Sequence, residues 1–507
     1  MWRFFLFYQY MGSIRKQSIF SSLFIYAGFG IGAINILYLF PKFFTPEQFG
    51  LTRILMDISM ILSTVCAAGI IPTALKFFPF YKKYLKKSEN ELLTISIGIA
   101  VFLSIIVFLM MPLIEPWIIL KFADKSPILT EYLYLIFPLT LTLVGFNILE
   151  VFAWISGRTV LSTFLREFLY RLLITFLIIS WALGIISQFE SFIEIYSISY
   201  LPVIVVLAIM IFKTKQFVIQ FRLSKVSKRL GGMMFKFGSA YFISMLFNVL
   251  AKTNDTLIIA SQSSGGLADA AVFTIATYLI TLMDVPQRGV IGAATPHISQ
   301  AWKDRDMDKL ERIYKKTALN LLIIASGIMG LVLINNQLVV TFLGDQYSML
   351  PILILLLGIS KLIDLGTGLN SQILQLSKHW KIDLTTNIFF VGISIVLNFF
   401  LTRSYGILGT AVGTIISIFI YNVTRLIFIK LIYNLQPFSW KNGVTLCSAA
   451  FLTGILTYLR ISDNIMINAV AASILFIFSF SFIILKFKIS EDISELFIII
   501  KERLKLR

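Results

Sequence analysis

Long apolar runs separated by short polar or basic stretches dominate the pattern of this chain. Each run approaches the roughly 20 residues that an α-helix needs to cross a bilayer. Six runs fall in the first part of the sequence, six follow a basic segment, and two more come near the end. The pattern therefore predicts about fourteen transmembrane helices, at residues 18–40, 51–78, 92–114, 131–155, 159–184, 192–212, 237–261, 270–296, 317–343, 350–376, 383–402, 406–433, 442–459 and 464–485.

The two halves of the sequence resemble each other. The turn after the fourth run carries Ser156 and the turn after the tenth carries Ser377, an offset of 377 − 156 = 221 residues. The same offset places Gly50, at the start of the second run, on Ala271, at the start of the eighth. Two sequence repeats that each contain an even number of helices insert into the membrane in the same orientation, as in parallel-repeat transporters.

These patterns predict an all-α polytopic membrane protein with two six-helix lobes and two C-terminal helices. The predicted divisions are an N-terminal lobe at 1–212, a cytoplasmic linker at 213–236, a C-terminal lobe at 237–434, and a final part at 435–507 with helices 13 and 14 and a basic tail.

Composition and charge agree with a membrane protein. The chain is 58% hydrophobic and 14% charged, whereas soluble domains average about 45–50% and about 25%. The formal net charge of +18 would suggest nucleic acid as a partner of a soluble protein, but here the basic residues concentrate in alternate connectors, which marks those connectors as cytoplasmic. We therefore expect both termini in the cytoplasm and no nucleic-acid partner. The main basic connectors are 82–87, 213–229, 303–316 and 501–507.

The two cysteines and two histidines give no sign of a disulfide framework or a zinc site. Cys66 and Cys447 lie in apolar runs, and His297 and His379 are far apart without a neighbouring Cys or carboxylate cluster. We expect no metal centre and no cofactor other than a coupling ion.

The two ends of the chain differ from the membrane-spanning pattern. The apolar run in residues 1–10 is too short for a signal-peptide core, and Met11 is a second candidate start beside Met1. Residues 489–507 form a short amphipathic stretch, which we expect to lie along the membrane interface.

Short motifs at two turns carry a resemblance to a known family. Residues 18–26 open the first helix, and residues 40–50, Phe-Pro-Lys-Phe-Phe-Thr-Pro-Glu-Gln-Phe-Gly, lead into the second. Residues 265–273 form the corresponding turn before the eighth helix. This arrangement resembles the O-antigen and capsule-repeat flippases of the multidrug, oligosaccharidyl-lipid and polysaccharide exporter superfamily.

The resemblance implies a transporter of the bacterial inner membrane, acting in surface polysaccharide biosynthesis of the cell envelope. Its cargo would be an undecaprenyl-diphosphate-linked oligosaccharide, moved from the inner to the outer leaflet by alternating access. Polysaccharide polymerase and chain-length proteins would be partners, together with membrane lipids. The resemblance also implies that helices 1, 2, 7 and 8 line the cavity.

Ionisable residues within the predicted spans are the candidate site. Each costs about 2.5–3.5 kcal/mol in mid-bilayer on insertion scales, so each needs a partner or a water-filled cavity. Spacings of three or four residues place the members of each pair on one helical face. The pairs are Arg53 with Asp57, Lys252 with Asp255, Asp284 with Arg288, and Lys361 with Asp364.

Two interpretations of these pairs remain open. In the first, they neutralise each other and the long basic side chains reach toward the headgroups. In the second, the faces line the cavity, where Arg53, Lys252, Arg288 and Lys361 bind the diphosphate. The carboxylates Asp57, Asp255, Asp284 and Asp364 would then serve pairing or coupling to H⁺ or Na⁺.

Other polar residues receive simpler interpretations. We expect Arg166, Glu167 and Arg171 to form an amphipathic entry at the cytoplasmic surface, with no substrate role. Pro286, between Asp284 and Arg288, is a candidate hinge, because proline frees a backbone carbonyl in the preceding turn.

Two other functional classes compete with the flippase. A drug/cation antiporter of the same superfamily favours a cavity dominated by unpaired acidic residues, whereas each candidate carboxylate here has a basic neighbour. A membrane polysaccharide polymerase or glycosyltransferase needs a long extracytoplasmic loop with catalytic residues, and no predicted outside connector is long enough. We therefore expect a transporter and not an enzyme.

Overall fold

The computed structural model describes residues 14–86, 89–213, 219–459 and 462–495, with side chains described from residue 20 onward. The candidate starts Met1 and Met11, and residues 496–507 of the expected amphipathic tail, lie outside the described residues.

The described part of the chain consists of helices joined by short turns, without a strand. Short π-helical segments at Asn35–Leu39 and Phe164–Leu169 and 3₁₀ turns at Leu133–Leu135 and Asp345–Tyr347 connect some of them. The α-helices are α1 Ile14–Ile34, α2 Phe40–Phe43, α3 Pro46–Ala67, α4 Ile70–Tyr84, α5 Leu92–Phe122, α6 Pro127–Glu131, α7 Ile136–Ile155, α8 Thr159–Thr163, α9 Tyr170–Ala182, α10 Phe189–Ser197, α11 Leu201–Phe212, α12 Lys225–Gln262, α13 Gly266–Thr281, α14 Asp284–Asp304, α15 Met307–Ile334, α16 Asn336–Leu343, α17 Leu350–Gly366, α18 Asn370–Leu376, α19 Trp380–Tyr433, α20 Trp440–Tyr458 and α21 Ile465–Lys486.

The predicted membrane segments coincide with these helices. Within the described ranges, ten helices are long and apolar enough to cross a membrane, and the bent pair α13–α14 makes eleven. The other three predicted segments fall on the helical run 159–182, on the second half of α19, and on α20. The all-α polytopic architecture is confirmed.

Two breaks interrupt the longest helical runs. Gly406, inside the 54-residue α19, has φ of +61°, a backbone conformation that glycine adopts without steric cost, and it separates the predicted segments 383–402 and 406–433. Helices α13 and α14 meet at a bend of 43°. Pro286 lies in the first turn of α14 and cannot donate to the carbonyl four residues earlier, which accounts for a break at this point.

The first compact unit comprises Met1–Ala271. In it, α12 packs along α3 and α4. Backbones approach closely where glycine replaces a side chain: a Cβ on Gly50 would lie 1.9 Å from the carbonyl oxygen of Leu267, and one on Gly69 would lie 2.1 Å from that of Gly238. The two motif segments of the sequence, 40–50 and 265–273, are thus in direct contact near the starts of α3 and α13.

The second compact unit comprises Val272–Arg507. Its core forms where α15 packs against α17, α20 and α21. The stacked rings of Phe476 and Phe480, 5.5 Å apart, fill the contact beside Gly330 and Gly327 on α15.

The compact units and the predicted repeats divide the chain at different places. Residues 225–271 belong to the first compact unit. The second half of the predicted linker 213–236 is helical, because α12 begins at Lys225. The Ser224 hydroxyl caps this helix by accepting a hydrogen bond from the Ser227 amide. The division into six-helix repeats is a statement about the sequence and stays a prediction.

Candidate functional site

In the first unit, a charged cluster joins α3 to α12. Arg53 Nε lies 3.1 Å from Oδ2 of Asp57, so the predicted pairing of these two residues is confirmed. The Thr256 hydroxyl donates to the same carboxylate oxygen at 2.5 Å. Asp57 is fully buried, whereas the Arg53 side chain keeps 35% of its surface exposed. The carboxylate thus fixes Arg53 and links the two helices.

Lys252 lies one turn before Thr256 and has a different environment. It is exposed, as is Asn248 one turn earlier, and it forms no ion pair with another described residue. Ser244, whose carbonyl accepts from the Asn248 amide at 2.8 Å, continues this row along α12. An exposed ammonium in a membrane-length helix is costly against lipid, so lipid is an unfavourable environment for this face of α12.

In the second unit, Lys361 lies between two carboxylates. Its Nζ is 2.5 Å from Oδ1 of Asp284 and 3.1 Å from Oδ2 of Asp364. The predicted contact of Lys361 with Asp364 is confirmed. The side-chain amide of Asn422 donates to the other oxygen of Asp364 at 3.3 Å. Three helices, α14, α17 and α19, meet at this cluster.

The expected partnership of Asp284 with Arg288 is replaced by the contact with Lys361. Asp284 is the first residue of α14, directly after the bend, and its carboxylate meets the ammonium on α17. Arg288, one turn further along α14, is exposed and makes no ion pair with any described residue. It contributes only a longer-range electrostatic interaction with Asp284.

The site prediction missed an ion pair between the fourth and fifth predicted segments. Arg166 Nη2 lies 2.7 Å from Glu150 and also donates to Asn147 at 2.6 Å. Arg166 sits in a π-helical segment, and its partner Glu150 is buried, a contact that the expected amphipathic surface entry did not include; the entry itself stays a prediction. The sequence did contain a signal for this contact, because Asn147 and Glu150 are three residues apart and therefore lie on one helix face.

A second missed pair lies in the second unit. Arg425 is buried and forms an ion pair with Asp383, and its guanidinium lies 3.9 Å from the centre of the Tyr421 ring. Arg425 Nε also donates to the Thr386 hydroxyl at 3.2 Å. Both charges fall within predicted spans, but their spacing along the chain gives no common helical face. With its donors engaged, Arg425 stabilises packing rather than offering a binding group.

A buried carboxylate also lies at the junction between α4, α5 and α12. Glu91 is fully buried and accepts from the Ser224 amide at 2.7 Å and from the Ser227 hydroxyl at 2.6 Å. The Tyr81 hydroxyl is 2.5 Å from Ser227. Burial alone would raise the pKa of Glu91, but the hydrogen bonds from Ser224 and Ser227 outweigh burial and lower the pKa.

Among the described residues, no group of three or more His, Cys, Asp or Glu side chains is arranged to hold a metal ion. The site therefore consists of cations and carboxylates in two environments. Arg53 and Lys361 are held by carboxylates, whereas Lys252 and Arg288 are exposed on membrane-length helices. The binding roles of the eight predicted residues stay predictions.

The arrangement of helices, with charged groups inside membrane-length segments, defines an all-α polytopic membrane protein. The structure is similar to the lipid II flippase MurJ in an inward closed conformation, with a TM-score of 0.68 and 14% identity over 94% of this chain and 99% of that one. It is also similar to an inward-facing multidrug resistance MATE family transporter of the MOP superfamily, with a TM-score of 0.53 and 16% identity over 82% of this chain and 94% of that one.

Sequence comparisons add no relative. No protein-family description matches the chain, and no curated protein matches it. At these low identities the likeness to solved structures establishes the fold, and the function rests on the chemistry of the site.

Proposed function

We propose that this protein is a flippase that moves an undecaprenyl-diphosphate-linked oligosaccharide from the inner to the outer leaflet of the cytoplasmic membrane. The single observation that carries the proposal is the exposure of Lys252 and Arg288 on membrane-length helices without an ion-pair partner among the described residues. An anionic diphosphate in a low-dielectric setting requires such cations. The fold shared with a structure described as a lipid II flippase supports a lipid-linked cargo.

The held cations have a supporting role in this proposal. Arg53 and Lys361 offer less positive charge to a ligand than an unpaired cation does. Asp57 neutralises Arg53, and the two carboxylates Asp284 and Asp364 share Lys361. Asp284 and Asp364 are the candidate coupling carboxylates. Binding of H⁺ or Na⁺ to either one would weaken its hold on Lys361 and leave that ammonium available to the diphosphate.

A drug/cation antiporter is the second candidate, favoured by the likeness to a multidrug resistance transporter. It requires a binding face with uncompensated negative charge. The arrangement at Lys361 is instead nearly balanced, since two carboxylates share one ammonium and Arg288 lies one turn away. We therefore favour the anionic cargo.

Deletion of the gene separates the candidate functions. The flippase proposal expects the lipid-linked repeat unit to accumulate on the inner leaflet and surface polysaccharide to disappear. An antiporter expects normal surface polysaccharide with altered resistance to cationic compounds, and a polymerase expects single repeat units at the surface without chain extension. Accessibility of undecaprenyl-linked sugars in intact spheroplasts measures the difference, and units exposed as usual on the outer leaflet would contradict the flippase.

A further inference from the structure

A cavity in the first unit has no part in the function proposed above. It has a volume of about 310 Å³ and lies between α3, α5 and α7, which places it at the lower end of the roughly 300–1,000 Å³ of small-molecule pockets. Most of its wall is apolar. Representative lining residues are Leu62, Cys66, Phe108, Met111, Ile136 and Phe137.

One carboxylate, Glu115, lines this cavity. The sequence pattern ends the third span at residue 114, but α5 continues past Pro112 and Pro116 to Phe122. Glu115 is therefore about 10 Å from the helix end, in a 31-residue helix that exceeds the roughly 30 Å hydrocarbon core by about 16 Å. It forms no ion pair or side-chain hydrogen bond with a described residue, and a carboxylate without a partner, next to an apolar wall, attracts a cation.

The surroundings of the cavity carry further negative charge beside aromatic rings. Tyr134 lines the cavity and donates to Glu194 at 3.4 Å, and its ring is 6.5 Å from that of Tyr132. Burial and the neighbouring carboxylates Glu190, Glu131 and Glu194 raise the pKa of Tyr132. Such a setting attracts a cation and repels a phosphate.

The cavity wall contains hydroxyl groups whose hydrogen bonding is not satisfied by the described residues. Thr140 Oγ1 lies in its wall, is buried, and has no hydrogen-bond partner among the described residues, and Ser104 Oγ has only the weakly bonding thiol of Cys66 beside it, an uncommon state for buried hydroxyls. On the same helix, Phe102, Ile105 and Leu109 are exposed, as expected of a lipid-facing surface. A ligand that reaches the cavity from the bilayer is therefore amphiphilic.

We propose that this cavity binds a single-chain cationic amphiphile, with its amine at Glu115 and its hydrocarbon chain along the apolar wall. Glu115 and the carboxylates near Tyr132 and Tyr134 disfavour a phospholipid, whose phosphate they would repel. The cavity shares no residue with the cations assigned to the diphosphate, so the proposal does not depend on the flippase function.

Equilibrium dialysis of radiolabelled dodecylamine against the full-length protein in phosphatidylcholine nanodiscs tests the proposal, with empty nanodiscs to subtract partitioning. We expect one saturable site per protein. Glu115→Gln should weaken it about tenfold, the effect of losing roughly 1.4 kcal/mol of charge-assisted binding, and Glu115→Asp should retain part of the affinity. Asp345→Asn, which removes an exposed carboxylate in the second unit, is the matched control and should bind as the unmodified protein does.

A second variant tests the cavity itself. Thr140→Phe should fill it and abolish saturable binding, while size-exclusion chromatography and circular dichroism establish that the variant is folded. If that variant does not fold, the comparison of Glu115→Gln with Glu115→Asp still decides. Equal affinity in Glu115→Gln, equal binding of uncharged dodecanol, or complete displacement by phosphatidylethanolamine in the nanodisc would each overturn the proposal.

Discussion

The charged clusters of the two units hold their cations in different ways. In the first unit one fully buried carboxylate, Asp57, holds Arg53, and a hydroxyl from α12 completes the contact. In the second unit two partly exposed carboxylates share the ammonium of Lys361. The first arrangement resembles a permanent link between helices, because its carboxylate has no access to solvent. The second can exchange partners more easily, because each of its three members keeps 20–28% of its side-chain surface exposed.

This difference indicates where function and stability reside. Loss of Arg53 would leave the fully buried Asp57 carboxylate uncompensated and destabilise the protein, whereas a partly exposed cluster can change its contacts at a smaller cost. The exposed cations Lys252 and Arg288 lie outside both clusters, and we assign ligand binding to them. The following changes separate these roles, in order of decreasing expected effect.

The largest effect is expected for Arg288. Arg288→Ala should reduce transport about ten- to hundredfold, the loss expected from removing about 1.5–3 kcal/mol of charge-assisted hydrogen bonding, while the protein still inserts and folds. Arg288→Lys should restore only part of the activity, because lysine lacks the bidentate geometry. Surface polysaccharide in a complemented deletion strain is the measurement. Lys303→Ala, an exposed cation further along α14, is the control and should complement fully.

Removal of Lys361 tests the shared cluster. Lys361→Met leaves Asp284 and Asp364 as neighbouring carboxylates without their cation, and we expect a loss of about 1–3 kcal/mol of stability, below the roughly 3–5 kcal/mol of fully buried pairs because the cluster is partly exposed. Thermal unfolding of the purified protein measures the loss. Adding Asp284→Asn should restore much of it, and a double variant no more stable than Lys361→Met alone would show that the pair is not coupled.

The contact between the two motif turns gives a steric prediction. Gly50→Ala places a methyl group 1.9 Å from the carbonyl oxygen of Leu267, so the helix must move, at a cost of about 1–3 kcal/mol. Gly30→Ala is the matched control, since a Cβ there has no atom within 4 Å, and it should be neutral or slightly stabilising. Melting temperatures that fall equally in both variants would contradict the close approach.

The smallest effect concerns Glu91 and depends on pH. Because the hydrogen bonds from Ser224 and Ser227 lower its folded-state pKa below the ordinary 4.5, Glu91 adds stability above pH 4.5 that disappears as the pH falls through the folded pKa. Glu91→Gln should cost about 1–2 kcal/mol at neutral pH and less at pH below 4. Unfolding midpoints measured from pH 7 down to below pH 4 provide the test, and a difference that stays unchanged below pH 4 would rule out the ionised carboxylate.

The sequence predicted features that depend on local geometry. The apolar runs located helical stretches of the structure. A spacing of three or four residues correctly paired Arg53 with Asp57 and Lys361 with Asp364, but it wrongly paired Lys252 with Asp255. Contacts between helices depend on packing, which no local pattern specifies. The sequence therefore gave no indication that Thr256 reaches Asp57, 199 positions away, or that Asp284 prefers Lys361 to Arg288.

A helix end caused another omission. The third apolar run ends at residue 114, just before Glu115, although α5 continues past Pro112 and Pro116 to Phe122. Proline interrupts hydrogen bonds but does not end a helix that packing and an apolar environment stabilise. As a result Glu115, a charged residue inside a membrane-length helix, was not among the candidate residues.

Transport by purified protein tests the central claim most directly. In proteoliposomes carrying a fluorescent polyprenyl-diphosphate-linked sugar, the unmodified protein should move the lipid between leaflets, as measured by its accessibility to a membrane-impermeant quencher. The double variant Lys252→Ala and Arg288→Ala should show no movement above that of empty liposomes while keeping the melting temperature of the unmodified protein. Movement at the unmodified rate in this variant, or none by the unmodified protein, would contradict the assignment of the exposed cations to diphosphate binding.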